Sequence, residues 1–234
     1  MAESFFKRTE KKYMLDAREK ELLLKECAPY IQDDVYAYYT LCNLYFDTDS
    51  DEMIQRSLAK PVYKEKVRLR SYGVPESEDT VFLEIKKKYK GVVYKRRVIL
   101  TLKEAMDYIQ EGIYPVSVNL QIMKEIDYCV KYYQAKPKLF LAYDRHAFMG
   151  KEDSYLRLTI DENIRSRREN LDLSVGDEGE LLLPPNQYIL EIKASGGMPL
   201  WLSQTLAKLA IYPCSFSKYG AVYMKEVCQE ACIK

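Results

Sequence analysis

KEKVRLRSY (64–72), VFLEIKKKY (81–89) and VVYKRRVIL (92–100) are the stretches that decide how this 234-residue chain folds. Each run has enough β-branched and aromatic residues for a strand, and Gly73, Pro75 and Gly91 supply turns between them. Side chains alternate faces along a strand, so Lys64, Lys66, Arg68, Arg70 and Tyr72 share one face and Val67 and Leu69 the other. By the same rule Phe82, Glu84, Lys86 and Lys88 oppose Leu83 and Ile85. Lys95 and Arg97 oppose Tyr94, Val98 and Leu100, with Arg96 the exception. Residues 62–100 hold eleven Lys and Arg, while the acids Glu76, Glu78 and Asp79 gather in a turn. An antiparallel meander sets these cationic faces side by side. Like charges directly opposite one another repel, so the pattern favours an anion-binding face over a plain solvated one.

The whole chain is not basic. Its 36 Lys and Arg are offset by 35 Asp and Glu, and the acids concentrate in loops such as 172–180. Nonspecific nucleic-acid binding ordinarily comes with a more basic domain, so no nucleic-acid partner is expected. A hydrophobic content of 47% with 21 Tyr fits a well-packed globular protein, and residues 1–234 read as a single domain. No apolar run is long enough for a membrane span, and MAESFFKRTEKKY lacks the apolar stretch of a secretory signal. The six cysteines include no CxxC pair. They read as buried hydrophobes or surface thiols in a reducing cytoplasm.

Outside the meander, residues 6–15 read as a first strand, with Arg8, Glu10, Lys12 and Met14 opposite Lys11, Tyr13 and Leu15. Asp16 and Glu19 form a capping box that opens a helix to about Ala28. Residues 38–46 read as a second strand and 51–58 as a short helix. Thr101 and Glu104 make another capping box, closed by Gly112. Residues 117–134 are expected to be the longest helix, with an apolar stripe at Ile122, Ile126, Cys129, Val130 and Tyr133. Strands follow at 138–148, 156–164 and 187–195, with a loop at 169–185 and a helix from Pro199 to about Ala210. The segment beginning SKYG (217–220) is not assigned. About eight strands interleave with about four helices. LEIK occurs twice, at 83–86 and 190–193; duplication or chance accounts for it.

Charged strand faces backed by apolar ones invert an ordinary barrel. The economical geometry is α+β: an eight-stranded antiparallel β-barrel tunnel with a polar bore and flanking helices. Lys12, Arg68, Arg70, Lys86, Lys95, Arg97, Arg145 and Arg157 would ring it. Arg and Lys in that number suit a multiply charged linear ligand such as triphosphate or polyphosphate. Glu10, Glu84, Asp161 and Glu191 are candidate ligands for a hard divalent cation. His146 lies opposite Arg145 and reads as a packed or surface residue.

The ordered set KRTEKKYML, NLYFDT, KVRLRSY, FLEIKKK, YKRRV, LAYDRHAF, LRLTID, YILEIK and SKYG resembles a bacterial VTC domain. That family is the polyphosphate-polymerase branch of the triphosphate tunnel metalloenzyme, or CYTH-like, superfamily. The resemblance covers nearly the whole chain. It implies catalytic and phosphate-binding roles for Lys12, Arg68, Arg70, Lys86, Lys95, Arg97, Arg145, Arg157 and Lys218, with Tyr143 also binding substrate. It implies a metal-binding role for Glu191. One departure is on the first strand, where the superfamily's ExExK positions hold Arg8, Glu10 and Lys12, so one of the two acids is missing.

The activity so implied is that of an ATP–polyphosphate phosphotransferase. The ATP γ-phosphoryl group passes to a growing inorganic polyphosphate chain with Mn²⁺ or Mg²⁺, and ADP is released. Such a reaction needs positioning and charge neutralisation rather than a protein nucleophile. A triphosphate hydrolase of the same fold and a noncatalytic polyphosphate- or nucleotide-binding module are the alternatives. The oligomeric state is not legible in the sequence.

Overall fold

The computed structural model describes residues 8–115 and 118–233. In chain order it contains β1 (Arg8–Asp16), α1 (Ala17–Cys27), β2 (Ile31–Asp47), α2 (Glu52–Leu58), β3 (Tyr63–Tyr72), β4 (Thr80–Tyr89), β5 (Val92–Thr101), α3 (Leu102–Glu111) and α4 (Leu120–Tyr133). There follow β6 (Lys136–Gly150), β7 (Arg157–Arg167), β8 (Glu180–Leu181), β9 (Gln187–Ser195), α5 (Leu200–Lys208), β10 (Pro213–Cys214) and α6 (Lys218–Ile233). The class is α+β, with eight long strands and two two-residue strands. Pairing runs in the order β10-β1-β9-β7-β6-β2-β3-β4-β5, with β8 added to β7. Every pair whose register is described is antiparallel.

The chain forms two compact units: residues 1–39, 143–164 and 183–217, and residues 40–142, 165–182 and 218–234. Each has its own core. In the first unit Tyr13 and Leu15 of β1, Leu158 and Ile160 of β7, and Leu190 and Ile192 of β9 pack with Leu23 of α1 and Leu202 of α5. In the second, Val67 and Leu69 of β3, Leu83 and Ile85 of β4, and Val98 and Leu100 of β5 pack with Ala105 of α3 and Met123 and Ile126 of α4. The period-two alternation therefore holds on both sets of strands, with the apolar face under helices.

Both expected capping boxes are present. The Glu19 N–H donates to Asp16 Oδ1 at 2.7 Å, and the Asp16 N–H donates to Glu19 Oε2 at 2.8 Å. Thr101 and Glu104 repeat the arrangement, and Gly112 takes the left-handed φ of 71° that ends α3.

Several boundaries differ from the sequence reading. Asn119 caps α4, its side chain accepting from the N–H groups of Gln121 and Ile122, so that helix starts at Leu120; Ser117 lies outside the described residues, as do Phe6 and Lys7. β2 begins at Ile31 rather than near Tyr38. Two residues of the expected 169–185 loop form β8, pairing with Arg165 and Ser166. Among the described residues there are six helices rather than about four, and α6, at 16 residues, is longer than α4 at 14.

Asp47 shows how one buried charge organises its unit. α2 starts at Asp51, which has a left-handed φ of 58° and makes no side-chain cap. Asp47, fully buried, supplies the cap instead, accepting from the N–H groups of Met53 and Ile54 at 2.8 and 3.0 Å and from Thr48 at 2.8 Å. Tyr219 of α6 donates its hydroxyl to the same carboxylate at 2.9 Å. Asp47→Ala leaves these donors without their acceptor, and the expected loss is on the order of 4 kcal/mol. Urea unfolding of the two proteins measures it.

Candidate functional site

In the second unit, Leu83 and Ile85 enter the core, which turns Glu84 onto the charged face between Arg68 on β3 and Arg97 on β5. Glu84 is only 2% exposed. Arg68 Nε donates to its Oε2 at 2.8 Å, Lys95 Nζ lies 2.6 Å from Oε1, and Arg70 Nε is 4.0 Å away. Burial alone would raise this carboxyl; Arg68, Arg70 and Lys95 outweigh it and lower the pKa to about 2. Glu84, a candidate metal ligand in the sequence, is here the counter-charge that holds three cations on one face.

β2 fixes those arginines from the other side. Tyr45 and Asn43 stand in register with Arg68 and Arg70. Arg68 Nη1 donates to Tyr45 Oη at 3.1 Å, and Arg70 Nε donates to Asn43 Oδ1 at 3.0 Å. The Asn43 amide donates in turn to the Leu141 carbonyl at 3.2 Å. Burial raises the Tyr45 phenol, but Arg68, Arg70 and Lys66 bring it down to about 8. Arg97 is exposed, its guanidinium 4.8 Å from the Phe82 ring centroid. Lys86 stands in register with Lys66 on one side and Lys95 on the other. Among the described residues, Arg68, Arg70 and Lys95 meet on the one Glu84 carboxylate. Lys218, also in this unit, is half-buried at the start of α6.

The first unit repeats the device with its own LEIK. Leu190 and Ile192 enter the core and Glu191, 8% exposed, faces the other way. Lys12 of β1 is its register partner, with Nζ 3.8 Å from Oε2 and 3.2 Å from the Phe216 carbonyl it donates to. Lys193 makes a second ion pair with Glu191. Against the upward push of burial, Lys193, Lys12 and Arg145 lower this carboxyl also to about 2. Arg145 lies 5.3 Å from the Tyr143 ring centroid and donates Nε and Nη2 to Asp161 at 2.6 and 2.9 Å. Asp161 is fully buried and anchors Arg145 through that fork. Arg157 pairs with Asp34. His146, as expected, is a packed half-buried residue: it bonds Asp33 at 2.8 Å and lies 4.1 Å from the Phe148 ring.

No group of three His, Cys, Asp or Glu side chains that could hold a metal ion occurs among the described residues. Opposite Glu191 in register, however, Thr159 has a buried Oγ1 with no hydrogen-bond partner among them. A carboxylate and an orphaned hydroxyl on one face are oxygen donors of the kind that Mg²⁺ or Mn²⁺ takes, with the rest of the shell left to water and phosphate oxygens.

Sequence reasoning missed Glu84, Asn43, Tyr45, Lys193 and Asp161 as organisers of these clusters. The repeated LEIK was the available signal, because a Glu between two core residues must be either solvated or neutralised.

Ten strands in this order, with helices over their apolar faces, match solved structures. A candidate adenylate cyclase from Bacillus halodurans gives a TM-score of 0.54 at 14% identity, with 89% of this chain and 92% of that one covered. A candidate adenylate cyclase from Vibrio parahaemolyticus gives 0.47 at 8% identity, covering 94% and 99%. A candidate adenylyl cyclase from Hippeastrum, described as having a dominant triphosphatase activity, gives 0.48 at 13% identity, covering 92% and 95%. At 14% identity the first likeness shows the fold alone. Among the curated proteins, none matches the sequence. A family model described as the VTC domain matches residues 7–226, and the chain belongs to that family. No described helix is long and apolar enough to cross a membrane.

The two lowered carboxyls set an acid limit. A carboxyl held at about 2 in the fold against an ordinary 4.5 contributes stability that is complete above about pH 4.5 and lost as pH falls towards 2. Each is worth on the order of 3 kcal/mol. In thermal melts from neutral to acid pH, Glu84→Gln should melt lower than the wild type at neutral pH and lose part of the acid-dependent fall.

Proposed function

We propose that this protein is a metal-dependent polyphosphate polymerase, which transfers the γ-phosphoryl group of ATP to the end of an inorganic polyphosphate chain and releases ADP. The observation that supports this reading best is the meander face, where Arg68, Arg70 and Lys95 surround a single buried carboxylate. Residues two apart on a strand sit roughly 6.6–6.8 Å apart on one face, more than the spacing of adjacent phosphates, so Arg68 and Arg70 would grip different phosphates of one chain. Their guanidiniums are already aimed by Glu84, Tyr45 and Asn43, so little ordering remains when the ligand arrives. Lys86 and Arg97, exposed on the same face, would extend the contact along the chain. Lys218 in the same unit, and Lys12, Tyr143, Arg145 and Arg157 in the first unit, are the other residues proposed to bind substrate.

The terminal phosphate of the acceptor is already anionic. Its oxygen attacks Pγ, the bond from Pγ to the β-bridging oxygen breaks, and ADP leaves with the electron pair. No proton has to be removed from the nucleophile, and no side chain has to form a covalent intermediate. The protein's share is to hold donor and acceptor in line and to offset charge on the equatorial oxygens. Mn²⁺ or Mg²⁺ held by Glu191, with Thr159 beside it, would supply further charge neutralisation at the phosphate oxygens. Residues 1–234 are proposed to work as one domain.

Incubation with ATP and Mn²⁺, followed by separation of products, tests the proposal. ADP with long-chain polymer is expected; phosphate without polymer assigns a hydrolase, and no turnover assigns a binding module. Arg68→Ala and Arg70→Ala should each weaken polyphosphate binding by about 2 kcal/mol in titration calorimetry, with less binding as salt rises. Unchanged affinity in both would remove the meander face from the site. Glu191→Gln should abolish metal-dependent turnover while the protein still folds, which circular dichroism checks.

A further inference from the structure

The end of the β4–β5 hairpin carries features that phosphate binding does not use. Of the seven cations in KKKYKGVVYKRR (86–97), Lys86, Lys95 and Arg97 belong to the proposed phosphate site and Lys87 and Arg96 pair with Glu125, which leaves Lys88 and Lys90 at the tip. Lys90 and Gly91 have φ of 45° and 86°, the left-handed pair of a tight two-residue turn, and Tyr89 and Val92 are partners across it. Tyr89, Val92, Val93 and Tyr94 are each about half exposed. Tyr63 of β3 is the register partner of Tyr89 and is exposed too. The Lys90 N–H donates to the Val62 carbonyl at 3.0 Å, which ties the turn to the chain entering β3. Tyr63, Tyr89, Val92 and Tyr94 thus share one face of a hydrogen-bonded ribbon, and Val93 lies beside Lys88 on the other.

Lysines oppose one another beside them. Lys64, whose ammonium donates to the Ser57 carbonyl at 2.9 Å, stands opposite the exposed Lys88. Like charges so placed destabilise a sheet. Burial and then Lys88, Lys86 and Lys60 lower the Lys64 ammonium, as expected of cations crowding one another. A soluble polyanion answers the lysines and leaves the tyrosines and valines in water. An apolar protein groove answers the side chains and strands the lysines. A bilayer surface bearing anionic headgroups answers both, since Tyr sits well at headgroup level, Val enters the acyl boundary and Lys meets the headgroup charge.

We propose that the β4–β5 hairpin tip docks on the surface of an anionic phospholipid bilayer. The docking lies at the membrane surface, involves no spanning element and does not depend on the phosphoryl-transfer reading. Co-sedimentation of the full chain with vesicles tests it, using phosphatidylcholine alone and phosphatidylcholine with about one third phosphatidylglycerol. The chain is expected to sediment with the mixed vesicles and not with phosphatidylcholine alone. V92S/V93S and K88Q/K90Q should each lower binding by about tenfold or more. Turnover of ATP in solution should stay at the wild-type level in both double variants, because none of the four residues belongs to the phosphate site. Absence of sedimentation with the mixed vesicles overturns the proposal. So does undiminished vesicle binding by V92S/V93S, which would mark the tip as a site for a soluble polyanion.

Discussion

A carboxylate buried among cations is the interaction on which the rest depends, and it occurs twice, at Glu84 and Glu191. Taking a carboxylate out of water is unfavourable unless close cations offset the loss, and the same holds for the cations in reverse. Arg68, Arg70 and Lys95 would repel one another if the face carried only positive charge. With Glu84 at the centre, they hold fixed positions before any ligand is present. The result is a cationic surface with a defined geometry. A flexible set of solvated lysines would have the charge without the geometry.

The apolar half of each strand makes this possible. Leu83 and Ile85 are locked in one core, and Leu190 and Ile192 in the other. With strand alternation fixed by those anchors, the intervening glutamate has only one face available to it. A one-residue slip would drive Glu84 or Glu191 into hydrocarbon and expose two core residues, so the buried charge also enforces register.

Much of this was legible in sequence. Alternation in the 62–100 stretch located β3, β4 and β5 to within one residue at each end, because one face is cationic and the other aliphatic with few exceptions. Both capping boxes were legible because their chemistry is local. The first half of β2 was not, since residues such as Val35 and Tyr36 are exposed and leave no inside-outside pattern to read. α6 was hidden by Gly220 and by the β-branched Val222 and Val227, which weaken helix propensity, although tertiary packing of Tyr219 and Val222 overrides it. The roles of Asn43, Tyr45 and Asp161 depend on partners tens of residues away, on strands whose register one sequence cannot supply. Glu84 was visible as a residue on the charged face, but its burial was not, because glutamate is ordinarily solvent-exposed.

The order in which the chain is made meets its topology unevenly. β3, β4 and β5 follow one another directly, so the meander's ladder can close as soon as its residues leave the ribosome. β1 has no such neighbour. Thr9 bonds the Gly196 carbonyl across 187 residues, and Lys12 reaches Phe216 across 204. During synthesis β1 is therefore a strand without its partner, its Tyr13 and Leu15 awaiting a core completed only when β9 and α5 arrive. Nascent chains with such a waiting strand are the ones that trigger factors and holdases shelter, and the N-terminal segment is where this protein would need that help.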